Sequence, residues 1–471
     1  MVAFIGRERE LAALDRTLAE VRADVGDRHP GRCLILRGRR RIGKSALAEE
    51  FVSRADVPNA FYTAELGIGA DPLAEFIEAV RTSSIPDAEV FGEALPGNWA
   101  AAFRQLAGVL PEDQPSVVVI DELPYLMDGA GSFESVLQRA WDRELSRKPV
   151  LLILIGSDLA MMRALTSYGR PFHQRGMELP IGPLTPADVA AMTGLDPTGA
   201  FDAALVTGGL PIVCARWRQG EDLWTFLARE LADPVSPLLV SAQLSLAAEF
   251  PDQIQARTVL GAIGSGERSF SNIARAAGGI AHSTLSRAVD LLTGKGIVAG
   301  ELPVSLRPAK DRRYRITDPY LRFWLAFLGP HLTEIDRMRS DLTLGRIRTG
   351  WSSWRGRAIE PVLRESLARL LPAQDIPAAP AVGAYWTRTN DVEIDVVGAD
   401  RTPVARELYF LGSIKWLEAS AFDDHDLAAL QYQRTRLTGD LLPLIAITRS
   451  GKATNHVDAA FGPAELLAAW R

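Results

Sequence analysis

The segment that most narrows the folds open to this chain is CLILRGRRRIGKSALAEEF, residues 33–51. Cys33–Leu36 is a short apolar run of the kind that forms a buried parallel strand. The residues after Ser45 are good helix formers. Between them, Gly38 to Ser45 fits G-x-x-x-x-G-K-[ST], and strand, loop, helix is the context in which that spacing cradles phosphate. Gly38 and Gly43 let the backbone curl so that its N–H groups converge on phosphate oxygens. The positive end of the following helix adds to that field. Lys44 is expected to reach the β- and γ-phosphates, and the Ser45 hydroxyl to ligate Mg²⁺. The nucleotide-contacting set read from the loop is Gly38, Arg39, Arg40, Arg41, Ile42, Gly43, Lys44, Ser45 and Ala46. A basic turn ahead of a surface helix would explain the charges but not the flanks.

A second segment, PSVVVIDELPYL, is an apolar, β-branched run ending in Asp121-Glu122. A carboxylate at the carboxyl end of such a strand is where a phosphate-loop fold places its second Mg²⁺ contact. Asp121 is expected to hold the metal through water, and Glu122 to orient or deprotonate the attacking water. Taken alone, the same residues would read as a strand followed by a capping aspartate. A third strand, KPVLLILIGSDLAMM, ends in Ser157, placed to sense the γ-phosphate. Farther on, SYGRPFHQRGMELP offers Arg170 and Arg175, either of which would serve as an arginine finger in cis or toward a neighbouring subunit. Solvated loop arginines are the plain alternative for both.

Bulk properties set outer limits. At 471 residues the chain exceeds one ordinary core, and about two to four domains are expected. A net charge of -6 argues against a protein coated in positive charge, though not against a local basic patch. Only Cys33 and Cys214 are present, so no disulfide framework is implied and a reducing compartment is expected. The start, MVAFIGRERE, carries charge where a signal peptide needs apolar residues. PVLLILIG is too short to cross a bilayer. The expectation is a cytoplasmic protein with no membrane partner.

The segments FIGRERELAALDRTL, RGRRRIGKSALAEEF, VVVIDELPYL, LIGSDLAMM and TGGLPIVC follow one another in the order seen in the archaeal-type ATPase family. That family is related to the STAND branch of AAA+ P-loop NTPases, and the resemblance covers roughly the first half of the chain. It implies that Gly6, Arg7 and Glu8 of the GREREL box line the adenine end of a bound nucleotide. It also implies that Gly209 and Pro211 of GGLP belong to a lid over the nucleotide. Independently, Pro211 after two glycines reads as a rigid turn opening a helix.

From about residue 186, TPADVAAMTGLDPTGAFDAALVTGG reads as short helices punctuated by Pro and Gly. Beyond it, Ser271 is placed to cap a short helix over 272–277, and an amphipathic helix is expected over 283–293. IVAGELPVSLRPAKDRRYRIT then reads as two strands around a basic loop, completing a winged helix. One reading puts His282, Ser283, Thr284, Ser286 and Arg287 in a DNA major groove, with Arg307, Lys310, Arg312 and Arg313 on phosphates. The other makes the module a spacer or protein contact, since its recognition helix carries a single arginine and the chain is acidic overall.

The aromatic stretch YRITDPYLRFWLAFLGPHL has helical spacing and reads as packing. A similar DPYLRFW stretch recurs at the start of the C-terminal domain often fused to these ATPases. That domain resembles the PD-(D/E)XK nuclease superfamily, which implies that Glu360, Asp395 and Lys415 correspond to its helix acid, strand acid and lysine. The pattern departs at Ser413, where a second metal-binding glutamate is expected; residues 413 and 415 share a strand face. Glu393 shares the face of Asp395, and Glu407 lies too far along an extended strand to substitute. Losing one carboxylate weakens a hard-cation site, which favours a degenerate nuclease-like fold over an active nuclease.

The sequence thus predicts an α/β chain in four parts: a P-loop ATPase core at 1–185, a helical lid at 186–250, a winged helix at 251–325 and a degenerate nuclease-like domain at 326–471. The expected cofactors are ATP and Mg²⁺. The expected partners are ATP or ADP, then DNA through the winged helix or a protein, with the oligomeric state open. The expected activity is ATP hydrolysis coupled to a conformational switch; an ATP-regulated nuclease and an ATP-dependent DNA-binding regulator are the alternatives.

Overall fold

The computed structural model describes residues 4–65, 71–93, 95–129, 133–250, 253–439 and 441–471. The chain divides into two compact units, Met1–Pro183 and Leu184–Arg471. Among the described residues no helix is long and apolar enough to cross a membrane.

The first unit is built on five parallel strands: β1 (Arg32–Arg37), β2 (Asn59–Thr63), β3 (Ser116–Asp121), β4 (Val150–Gly156) and β5 (Met177–Pro180). Their order is β2-β3-β4-β1-β5, the arrangement of a P-loop NTPase sheet. Every residue of β3 and β4 is buried, as expected of strands covered by helices on both faces. One face packs Leu34, Leu36, Val117, Val119, Ile153 and Ile155 against Leu14, Leu18 and Phe51 of two flanking helices. The other packs Ile35, Val118, Ile120, Leu152 and Leu154 against Phe103, Phe133 and neighbours. Ligands in such sheets bind beyond the carboxyl ends of the strands. In this unit β1, β3 and β4 end at Arg37, Asp121 and Gly156, so the polar residues that follow form one crest.

In the second unit, short helices lead into the helix Ile254–Gly264, the helix Phe270–Ala276 and the helix His282–Gly294. An antiparallel hairpin follows, β6 (Val298–Glu301) with β7 (Arg313–Ile316). The sequence suggests the helices near 272–277 and 283–293 and the hairpin, but not the helix Ile254–Gly264 ahead of them, and two further corrections apply. Ser269, not Ser271, caps the short helix, its side chain accepting from the Asn272 N–H. The chain between β6 and β7 is not a free loop. Its backbone is stitched to the C-terminal sheet by Val304 N–H to Ala384 O at 2.8 Å and Ser305 N–H to Pro403 O at 3.0 Å.

The C-terminal part sets the 31-residue helix Ser340–Leu370 beside a second five-stranded sheet. Its strands are β8 (Ala381–Trp386), β9 (Glu393–Ala399), β10 (Leu408–Lys415), β11 (Leu444–Thr448) and β12 (Ala459–Phe461), paired in that order. β8, β9 and β10 are antiparallel, whereas β10, β11 and β12 are parallel. The segments read from sequence as lid, middle and tail share their cores. One apolar cluster runs from Leu184 through Leu285 to Trp351, and another joins Phe201 and Leu205 to Leu363, Phe410 and Ile445.

A buried ion network fixes the helix Pro197–Thr207 in that second core. Arg355, 1% exposed, gives hydrogen bonds to Asp202 at 3.3 Å and Glu418 at 2.7 Å, and Arg449 reaches Asp202 at 2.9 Å. Removing one partner of a buried pair leaves the other charge without compensation. Asp202→Ala is therefore expected to lower stability by about 3 kcal/mol in urea unfolding, with an unchanged denaturant slope. A loss under about 1 kcal/mol would show that Glu418 and water replace Asp202.

Candidate phosphate-binding site

The loop after β1 is shaped by contacts that only certain residues permit. A side chain at Gly38 would place its Cβ 2.5 Å from the Ile181 carbonyl oxygen, so glycine is required there. Gly43 has φ 87° and caps the helix Lys44–Ala55, a left-handed conformation natural to glycine. Arg41 holds φ 64° without that freedom. The loop is braced from outside by Arg7, whose guanidinium donates to Ile42 O at 2.9 Å and Gly182 O at 2.6 Å. Gly6 and Arg7, at φ 78° and 69°, turn the chain into the helix Glu8–Ala23 to bring that side chain inward. Arg7 is thus a buried brace on the loop backbone, a role its sequence box did not indicate, while Glu8 is exposed.

Lys44 is 6% exposed and turned back into its own loop, donating to the Gly38 and Arg39 carbonyl oxygens at 3.0 Å each. Burial lowers the pKa of its ammonium, and the Glu122 and Asp121 charges oppose that fall. The Ser45 hydroxyl donates to Asp121 Oδ2 at 2.5 Å. These two oxygens belong to different elements, 76 residues apart, and meet because β3 ends level with the loop. Hydroxyl and carboxylate are hard oxygen donors, the kind Mg²⁺ takes alongside phosphate oxygens and water. The residues present therefore fit a nucleotide with its magnesium ion.

Glu122 follows β3 at φ 51°, its N–H bonded to Asp121 Oδ1 at 2.7 Å. Its Oε2 accepts from the Ser157 hydroxyl at 2.8 Å, across the tips of the adjacent strands β3 and β4. Arg40 donates to Tyr125 Oη at 2.8 Å and approaches Ser157 Oγ at 3.4 Å. Sequence reasoning missed Tyr125. Its position three residues after Glu122 on the helix Leu123–Gly129 was the available signal. Side chains join loop and strand tips, and the Tyr125 N–H to Glu122 O bond at 3.0 Å ties the helix to the same point.

The two finger candidates are placed differently. Arg170 pairs with Glu134 at 2.5 Å. Arg175 makes a two-pronged contact with Asp142 at 2.7 and 2.9 Å. It lines a cleft with Arg32 and Cys33, at the opposite end of β1 from Gly38. That position removes Arg175 as a finger in cis. Pro211, read as a nucleotide contact, opens the short helix Pro211–Cys214 in the second unit.

Of the nucleic-acid candidates, Ser283, Arg287 and Arg312 are exposed and Thr284 is half-buried. Arg287 donates to the Ser283 carbonyl at 3.3 Å, and Asp290 lies on the same helix with Ser286 at 3.4 Å from it. Arg313 is corrected. Rather than projecting toward phosphates from a wing, it pairs with Glu393 at 2.6 Å and Asn390 at 2.7 Å and lies over the Trp386 ring.

The structure sets Glu360 and Asp395 on the lining of one cleft and Lys415 against a different carboxylate. Lys415 is clamped by both oxygens of Asp426 at 2.8 Å. Asp395 Oδ2 accepts from Ser413 Oγ at 3.1 Å and the Ile414 N–H at 2.9 Å, so the serine that replaces a carboxylate bonds to the remaining one. Arg364 sits 3.6 Å from Glu360 and donates to the Asp395 carbonyl at 2.8 Å. Among the described residues no group of three or more His, Cys, Asp or Glu side chains is arranged to hold a metal ion.

The family model described as "Archaea bacterial proteins of unknown function" matches residues 324–427. No curated protein matches the chain. Among solved structures, the Walker-type ATPase PABY2304 of Pyrococcus abyssi is similar at 18% identity and a TM-score of 0.49, over 68% of this chain and 96% of its own. The Aeropyrum pernix ORC2 protein is similar at 12% identity and a TM-score of 0.46, over 74% and 98%.

Burial pushes the Asp395 carboxyl up to about 6, the Glu360 charge acts the same way, and the Ile414 and Ser413 donors oppose them. An unfolded aspartate titrates near 4, so between about pH 4 and 6 the folded chain holds the extra proton. Stability therefore falls as pH rises through that window, and the cost is constant above it. Asp395→Asn is expected to be more stable than the parent at pH 8, by on the order of 1–3 kcal/mol, with the gap closing near pH 4. A variant less stable at both pH values would show that the two hydrogen bonds outweigh the burial cost.

Proposed function

We propose that the chain is an ATP-binding, ATP-hydrolysing P-loop switch, with nucleotide chemistry in the first unit and its output in the second. The observation that supports this most is the Ser45–Asp121 contact beside a buried Lys44, with Glu122 on the same crest. A hydroxyl, two carboxylates and an ammonium are gathered around a loop whose glycines allow its tight turn.

Binding would draw Lys44 off the Gly38 and Arg39 carbonyls and onto phosphate oxygens, exchanging two neutral acceptors for charged ones. Ser45 and Asp121 would hold Mg²⁺, which supplies neutralisation of charge developing on the transferred phosphoryl group. Glu122 is the base for the attacking water, and its bond to Ser157 holds it in one orientation until a γ-phosphate competes for the serine. Arg40 bridges the loop and this pair, so a change at the loop reaches Ser157 and Tyr125 together. ATP and ADP forms would then differ in free energy for two arrangements of these side chains, which is what a switch requires. For the output, the weakly charged face of the helix His282–Gly294 and the engaged Arg313 favour a protein partner over duplex DNA.

Steady-state ATP turnover is expected to fall by about 100-fold or more in Lys44→Ala and in Glu122→Gln. Glu122→Gln should still bind ATP, because the glutamine keeps the shape and loses the base. Turnover that survives either substitution would exclude this assignment.

A further inference from the structure

A cleft in the second unit lies between the hairpin β6–β7, the long helix Ser340–Leu370 and β9, and it gathers more positive than negative charge. Six arginines line it: Arg268, Arg313, Arg315, Arg322, Arg357 and Arg364. Four carboxylates face them, Glu301, Glu360, Glu393 and Asp395, leaving an excess of two cations. The periodicity explains the convergence. Arg313 and Arg315 alternate on β7, as Glu393 and Asp395 do on β9, so each pair shares a strand face. Arg357, Glu360 and Arg364 follow the three-and-four spacing of one helix face.

The pairing inside the cleft is uneven. Arg313 takes Glu393 at 2.6 Å, Arg315 takes Glu301, and Arg364 lies 3.6 Å from Glu360. Arg268 reaches Glu393 only at 4.0 Å. Asp395 is already met by Ser413 and Ile414. The guanidinium groups of Arg322 and Arg357 have no hydrogen-bond or ion-pair partner among the described residues. A guanidinium cannot shed its proton under ordinary conditions, so the partly buried Arg322 is costly until an anion arrives, while the exposed Arg357 is hydrated and free to turn toward one.

We propose that this cleft binds a phosphate group, held by Arg322 and Arg357 with Arg268 as a further donor. Forked guanidinium donors match the oxygens of a phosphate and grip it in two places at once. Burial pushes Arg322 down to about 10; Glu360 opposes this, and the Arg268 and Arg357 charges add to it. Arg268, Arg315, Arg322 and Arg357 line one cleft, so their charges repel, and a dianion among them would relieve that repulsion. The same excess of cations opposes a divalent metal, the ligand that the nuclease resemblance implies for this region. A phosphate group reaches such a cleft either free or as part of a nucleotide, and the test separates the two.

The test uses the full chain carrying Lys44→Ala, which disables the phosphate loop of the first unit, and measures labelled inorganic pyrophosphate by equilibrium dialysis. Saturable binding is expected, weakened about tenfold or more by Arg322→Gln and by Arg357→Gln. Glu360→Gln is expected to tighten it, since that carboxylate acts most strongly on Arg322. Arg357 is exposed, so its variant remains a valid probe even where Arg322→Gln fails to fold. Equal affinity for ADP and pyrophosphate would assign the site to phosphate alone, and tighter ADP binding would assign it to a nucleotide. No saturable binding, binding that Arg357→Gln leaves unchanged, or weaker binding in Glu360→Gln would each overturn the proposal.

Discussion

Lys44 is a cation sealed inside a turn of its own backbone, and much of the first unit serves to make that tolerable. Its ammonium has lost most of its water and recovers two carbonyl oxygens, Gly38 O and Arg39 O, in exchange. Those carbonyls face it only because Gly38 lies flat against Ile181 and Gly43 turns left-handed into the helix. Arg7 holds the far side of the same loop through Ile42 O and Gly182 O. The loop is thus organised before a ligand enters, and binding need not meet the entropic cost of ordering it. Asp121 and Glu122 complete the balance by setting two negative charges beside the ammonium.

The strand tips carry this arrangement outward. Because β3 and β4 run in parallel register, Ile120 opposite Leu154, the residues just beyond them are neighbours as well. Glu122 and Ser157 therefore bond directly, and Arg40 ties them to the loop. On the proposed reading, a phosphate arriving at the loop would compete with internal partners at Lys44, at Ser45 and at Arg40. Each competition is local, yet all share the same crest, so they respond as a group.

What was legible in the sequence followed from local spacing. Gly38, Gly43, Lys44 and Ser45 lie in one short run, and Asp121 sits at the end of an apolar strand, so both could be placed without knowing the rest. Contacts between distant residues were not legible. Arg7 meets Gly182 across 175 residues, Arg355 meets Asp202 across 153, and Arg449 meets Asp202 across 247. Arg313 looked like a free wing cation because nothing nearby in sequence reveals Glu393, Asn390 or Trp386 beneath it. Ser269 and Ser271 are both reasonable caps by type, and the choice fell to which one precedes the first helical turn in the folded chain. The partners of the nuclease-like residues were hidden for a similar reason: nothing near Lys415 in sequence reveals Asp426 as its partner, and nothing near Asp395 reveals Arg364 on its main-chain carbonyl.

The central claim is that the loop between β1 and the helix Lys44–Ala55 is a preformed nucleotide site using Ser45 and Asp121 for magnesium. Calorimetric titration of the purified chain with a non-hydrolysable ATP analogue, with and without Mg²⁺, tests it most directly. The expected result is saturable one-to-one binding that tightens when Mg²⁺ is present, with the magnesium gain lost in Ser45→Ala. Absence of saturable binding at millimolar analogue, or a magnesium gain that persists without the Ser45 hydroxyl, would contradict it.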